Sequence, residues 1–220
     1  MCIIIYKPKN TELPSESTLY ECFFNNPDGS GIMFNDGKNV IIKKGFMNYN
    51  LFLTELYNID AKYNLFNKDL VLHFRIATQG NINKQNCHPF PLSSETKDLI
   101  KTSIKTDTGI AHNGIIYFCE LKASKLSDTQ IFIKHYLTEL DYLNPIVQNL
   151  IKHATNSKFA IMTKNQAYLI GDFIIEKDSC YYSNNSYLPY MLDCYDLKYN
   201  NNYSIKYNVS NKKIYKYHVK

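Results

Sequence analysis

At 220 residues, with 14% aromatic residues but no Trp, only 8 Gly and no low-complexity tract, the chain has the composition of one folded domain over 1–220, not of a disordered segment. The net charge of +5 comes from scattered lysines with no block of like charge, so nucleic acid is not indicated as a partner. No apolar run reaches the length of a membrane span or a secretory h-region; this points to a cytoplasmic protein, without a membrane partner, whose 6 Cys are reduced.

The opening "MCIIIYK" is a short β-branched run ended by Pro8. "SGIMF" and "NVIIKKG" across "NDGK" read as a hairpin with an Asp-Gly turn, so strands alone are expected to open the chain. From Gly45 to Asn64 the apolar residues Tyr49, Phe52, Leu53, Leu56, Ile59 and Tyr63 recur at helical spacing. "DLVLHFRIAT" then alternates, which puts His73 and Arg75 on one face, off the more apolar side.

After the turn-rich "QGNINKQNCHPFPLSS", a short helix is expected around Glu95 to Ile104, followed by a strand at "GIAHNGII". Ser127 with Gln130 three residues later is a capping box, opening a helix that would bury Phe132, Ile133, Tyr136, Leu137 and Leu140. Asn144-Pro145 starts another, with Ile146, Val147, Leu150, Ile151 and Ala154 as its inner face. From Lys158 onward only strands and turns remain, in the hairpins "FAIMTKNQAYLIGDF" and "YSIKYNVSNKKIYKYHV". Strands, then helices, then strands again suit an α+β domain.

No C-x-x-C or H-E-x-x-H spacing occurs, and the adjacent Cys87 and His88 cannot build a tetrahedral site alone, so neither metal nor cofactor is expected. Cys2 carries a different chemistry. Once Met1 is removed, one residue holds a thiol and an α-amine whose unperturbed pKa is roughly 7.7 to 8.0, close enough to neutrality to serve as a general base. Taken alone, Cys2 reads first as an ordinary small residue after the initiator.

Cys2 does not stand alone. "MCIII", "NPDGSGIM", "HFRIATQG", "CHPFP", "AHNGII" and "SDTQ" follow one another in an order that resembles the class II glutamine amidotransferases, the N-terminal-nucleophile (Ntn) glutaminases, and "YLIGDF" and "YYSNNSY" are similar to the tail of such domains. The resemblance implies a four-layer αββα sandwich, two antiparallel sheets between helix layers. It also implies Cys2 as nucleophile, with Asn113 and Gly114 as the oxyanion hole. Arg75 would bind the α-carboxylate of glutamine, Asp128 its α-ammonium, and His88 and Thr78 would shape and support the pocket.

Each position has a plainer reading beside it. Arg75 is also a solvated strand residue, Asp128 a favourable acid in a first helical turn, Asn113-Gly114 a hairpin turn, and Thr78 and His88 loop residues. Sequence features also depart from the resemblance, and the largest is length, since the family's best-known members continue into a synthase domain. Ile76 stands where many relatives have an aromatic residue, and the stretch between "HNG" and "SDT" is short.

The reaction implied is hydrolysis of the glutamine side-chain amide, with ammonia passed to a separate acceptor (synthase) protein. The alternatives are a stand-alone Ntn amidohydrolase acting on another γ-glutamyl or acyl amide, and a non-catalytic binding module on the same fold.

Overall fold

A computed structural model describes residues 1–77, 81–119, 126–189, 203–208 and 213–218, the last two segments as backbone. Strand β1 (Ile3–Lys7) is buried along both edges of its pleat, which is why "IIIYK" shows no polar alternation. It lies between β4 (Leu70–Phe74) and β11 (Tyr181–Tyr182). With β2 (Ser30–Asn35), β3 (Val40–Phe46), β6 (Ser103–Thr106) and β10 (Ile174–Ile175) they form a seven-stranded antiparallel sheet in the order β10-β11-β1-β4-β2-β3-β6. A second antiparallel sheet runs β5 (Phe90–Pro91), β7 (Thr108–Asn113), β8 (Lys158–Thr163), β9 (Ala167–Ile170).

Alternation along each strand sorts its side chains into separate cores. Ile3 and Ile5 of β1 face one way, with Phe34, Leu72 and Phe74, onto Leu19 and Cys22 of α1 (Glu16–Asn25) and Phe52, Leu56 and Ile59 of α2 (Tyr49–Tyr63). Ile4 faces the other way, with Met33, Val40, Ile42 and Val71, onto Ala111, Ala160 and Met162 of the second sheet. The far side of that sheet presents Ile110, Phe159 and Ile161 to Leu99 of α3 (Thr96–Leu99), Ile131 to Ile133 of α4 (Asp128–His135) and Ile151 of α5 (Pro145–Thr155). The result is the αββα sandwich. Small residues let the sheets approach: a Cβ on Gly109 would lie 2.3 Å from the Met33 sulfur.

Several local expectations change. Helix α1, capped by the Ser15 side chain, interrupts the strands expected to open the chain. The helix expected around 95–104 is a single turn, and Ser103–Thr106 extends the first sheet beside β3. The 127–130 capping box is present, but α4 ends at His135; Tyr136 and Leu140 are exposed and Leu137 is buried in a following 3-10 turn. On α5, Ile151 is buried and Val147 packs on the core, whereas Ile146 and Leu150 are exposed. Both faces of β4 are covered, so His73 and Arg75 are buried.

The chain divides into two compact units, Met1–Leu188 and Pro189–Lys220. In the second, β12 (Tyr203–Asn208) and β13 (Lys213–His218) pair antiparallel, the expected hairpin. Among the described residues no helix is long and apolar enough to cross a membrane.

Candidate active site

The antiparallel pairing of Ile3 with Phe74 brings the start of β1 beside the chain leaving β4. Cys2 therefore lies against Ile76. Its Sγ donates to the Ile76 carbonyl at 3.4 Å and accepts from the Ile76 N–H at 3.4 Å. On the other side the chain leaving β11 grips the same segment: Asn184 Nδ2 donates to the Cys2 carbonyl at 2.7 Å, and Ser183 N to the Ile4 carbonyl at 2.9 Å.

The second sheet supplies the opposite wall. Asn113 ends β7, and its Nδ2 lies 2.9 Å from Ser183 Oγ. Gly114 follows with φ +150°, in backbone space that disfavours side chains, and a Cβ there would sit 2.1 Å from Ser157 Oγ. The Asn-Gly pair is thus a strand end pressed against the α5–β8 connection. It is not the turn of a hairpin, since β7 pairs with β5 and β8 and not with the residues after it. Cys2, Asn113 and Gly114 line one cavity of about 210 Å³, together with Met1, Ile115, Tyr117, Thr155 and Asn156.

Burial pushes the Cys2 thiol above its ordinary pKa, opposed by the Ile76 N–H, the Arg75 guanidinium and the chain's amino group. The net direction is upward, so at neutral pH the sulfur is held as a thiol and needs a base to become a nucleophile. Arg75 is buried directly after β4. Its backbone N–H donates to Gly29 at 2.8 Å, its carbonyl accepts from Asp28 N at 2.9 Å, and its Nη1 donates to the Asn81 carbonyl at 3.3 Å. Asp28 Oδ2 in turn accepts from Ala77 N at 2.8 Å. The "PDGSG" turn thereby fixes the Arg75–Ala77 strip on which the thiol rests.

Asp128 occupies the first turn of α4, where its Oδ2 accepts from Ile116 N at 2.8 Å and its Oδ1 from Thr129 N at 2.7 Å and Thr129 Oγ1 at 3.3 Å. The carboxylate ties the segment after Gly114 to the helix. An ionised carboxylate offers about four acceptor positions, so these bonds leave capacity for a cation. Arg75 and Asp128 are not among the cavity-lining residues, and neither is His88. It is buried and stacked on His73, ring centroids 4.2 Å apart, with its Nε2 3.1 Å from Thr129 Oγ1. Thr78 lies outside the described residues.

Three histidines cluster around β4, β7 and the first turn of α4. His112 Nδ1 is 2.8 Å from the same Thr129 hydroxyl, and His73 Nε2 is 3.0 Å from the His112 carbonyl, which only an N–H can satisfy. Burial lowers His73 to about 3 and His112 to about 4, and takes His88 well below 6.5, so all are neutral near pH 7. Among the described residues no group of His, Cys, Asp or Glu could hold a metal ion. No sequence motif assigns a role to Thr129, Ser183 or Asn184. "YYSNNSY" marks the stretch holding the last two, but only the sheet shows that it clamps the start of β1.

No protein-family model matches the chain, and no curated protein matches it. Solved structures that are similar include one described as the allosteric regulatory enzyme of purine biosynthesis, at 17% identity and TM-score 0.49. Another is glutamine phosphoribosylpyrophosphate amidotransferase from B. subtilis complexed with ADP and GMP, at 17% identity and TM-score 0.47. Each alignment covers 83% of this chain, which spans 41% of the length of either structure.

Proposed function

We propose that the chain is a glutamine amidotransferase glutaminase whose nucleophile is Cys2 after removal of Met1. The observation that carries this reading is the convergence of Cys2, Asn113 and Gly114, far apart in sequence, on one cavity. The thiol there has a raised pKa and a guanidinium close enough to affect it. A buried thiol needs a proton acceptor, and the α-amine of the same residue is the nearest one covalent structure can provide.

In this reaction the amine takes the thiol proton as sulfur attacks the amide carbon. The Asn113 side chain and the Gly114 N–H stabilise the charge on the former carbonyl oxygen. The amine then protonates the departing nitrogen as ammonia leaves, and water attacks the thioester to release glutamate and restore the thiol. Arg75 offers a planar fork to the α-carboxylate, Asp128 its remaining acceptor position to the α-ammonium, and His88 shapes and Thr78 supports the pocket. Ammonia at neutral pH is mostly ammonium and a poor nucleophile, so a separate acceptor protein would receive it sheltered from water.

The test is ammonia release from glutamine by protein beginning at Cys2, alongside Cys2→Ser and a form retaining Met1. Turnover by the first form alone is expected. Equal turnover by Cys2→Ser defeats the reading, and cleavage of another γ-glutamyl amide with none of glutamine transfers the site to the amidohydrolase alternative.

A further inference from the structure

Ser183 does not line the Cys2 cavity, yet its fully buried hydroxyl stands between the strand that follows the nucleophile and the residue assigned to the oxyanion. Oγ accepts from Ile4 N at 2.9 Å and lies 2.9 Å from the Asn113 amide. The backbone around it is fixed as well, since Ser183 N donates to the Ile4 carbonyl at 2.9 Å and Lys158 Nζ donates to the Ser183 carbonyl. The hydroxyl therefore cannot move without disturbing β1 and β8.

With Nδ2 of Asn113 directed at Ser183, the hydroxyl accepts two N–H groups, and Asn113 Oδ1 is left buried with no partner. That oxygen would repel an oxyanion. The nitrogen and oxygen of a carboxamide occupy interchangeable positions, and hydrogen bonding decides between them. Exchanging them lets the Ile4 N–H donate to Ser183 Oγ while the Ser183 O–H donates to Asn113 Oδ1. Either orientation leaves the second amide atom unpaired. Only the exchanged one makes that atom an N–H donor, and only it uses the hydroxyl proton.

We propose that Ser183 is a positioning residue: its hydroxyl, oriented by the Ile4 N–H, holds the Asn113 carboxamide with the oxygen inward and the NH₂ presented to the developing oxyanion. This rests on the glutaminase reading above. A Ser-to-Ala change removes the group that sets the orientation and leaves the amide free to turn its oxygen toward the substrate. Charge stabilisation falls, while the ground-state contacts assigned to Arg75 and Asp128 remain.

The experiment is steady-state glutamine hydrolysis by wild type, Ser183→Ala and Ser183→Thr, with a neutron structure of the deuterated wild type. Ser183→Ala is expected to lower kcat by between about tenfold and the roughly hundredfold of losing an oxyanion donor, with KM within about threefold. Ser183→Thr, which restores a hydroxyl, should recover most of the rate. A Ser183→Ala kcat within twofold of wild type overturns the inference, as does a parallel loss in both variants with KM raised. Wild type inert toward glutamine would defeat the glutaminase reading instead, and the neutron map then decides alone. Deuterium on Ser183 Oγ pointing to Asn113 supports the inference; deuterium on the Asn113 amide pointing to Ser183 overturns it.

Discussion

Acidification from pH 7 to pH 5 should destabilise the fold through three buried histidines, His73, His88 and His112. Burial lowers His73 to about 3, His112 to about 4 and His88 well below 6.5, whereas the unfolded chain binds protons on all of them near 6.5. Their neutral burial contributes stability that is present above about 6.5 and lost as pH falls below it, because the unfolded state then holds more protons. His73 and His112 each lose about 2 kcal/mol between pH 7 and pH 5, about 4 kcal/mol together, and His88 shifts stability in the same direction. Lys44, also driven well below its ordinary 10.5 by burial, cannot act in the opposite direction.

The shifted carboxylates do not share this window. Lys101 holds Asp98, Lys152 holds Asp172 and the Asn39 N–H holds Asp36 below the ordinary 3.8, so their contribution disappears only at more acid pH. Since a domain has about 5–15 kcal/mol in total, the protein should be near its unfolding threshold at pH 5. Urea unfolding at the two pH values, at one ionic strength, reads the difference directly. His73→Gln should remove about 2 kcal/mol of it, whatever it does to stability at pH 7. A wild-type difference under about 1 kcal/mol would refute the neutral burial of the cluster.

Asn113→Ala should reduce kcat for glutamine by about 10²–10³ with little change in KM, measured by ammonia release, because the lost donor acts on charge formed in the transition state. Arg75→Lys should instead raise KM more than it lowers kcat in the same assay, since a point charge replaces a planar fork for the α-carboxylate; an unchanged KM would remove Arg75 from substrate binding.

What could be read from the sequence followed from local rules that the fold left in force. "IIIYK" is apolar on consecutive positions because β1 is covered on both sides, and Ser127 with Gln130 makes the capping box its spacing implies. Helix α1 was not legible. It presents only Leu19 and Cys22 as fully buried positions, too few for a clear period over Glu16–Asn25. Ser103–Thr106 alternates between exposed and half-buried residues, and its strand state comes from the edge of β3, a partner distant in sequence.

The same division applies to the site. The sequence singled out Cys2, Arg75, Asn113, Gly114 and Asp128 through short strings whose order resembles a known family. It did not reveal that Ile76 offers backbone to the thiol, or that Ser183 and Asn184 bind β1, because those contacts are made across sheet neighbours up to 182 residues apart. Asp128 shows both levels at once. Its place in a first helical turn is local, and its bond to Ile116 N exists only because the segment after Gly114 returns to the helix.

The central claim is that Cys2 becomes acylated by its substrate. Rapid acid quenching of protein beginning at Cys2 during turnover, followed by mass spectrometry of its N-terminal peptide, tests this most directly. The account predicts a mass increase equal to glutamine less ammonia, located on the Cys2 sulfur and absent both from Cys2→Ser and from protein that retains Met1. Ammonia release at full rate with the Cys2 sulfur unmodified, or the adduct on any other residue, would contradict it.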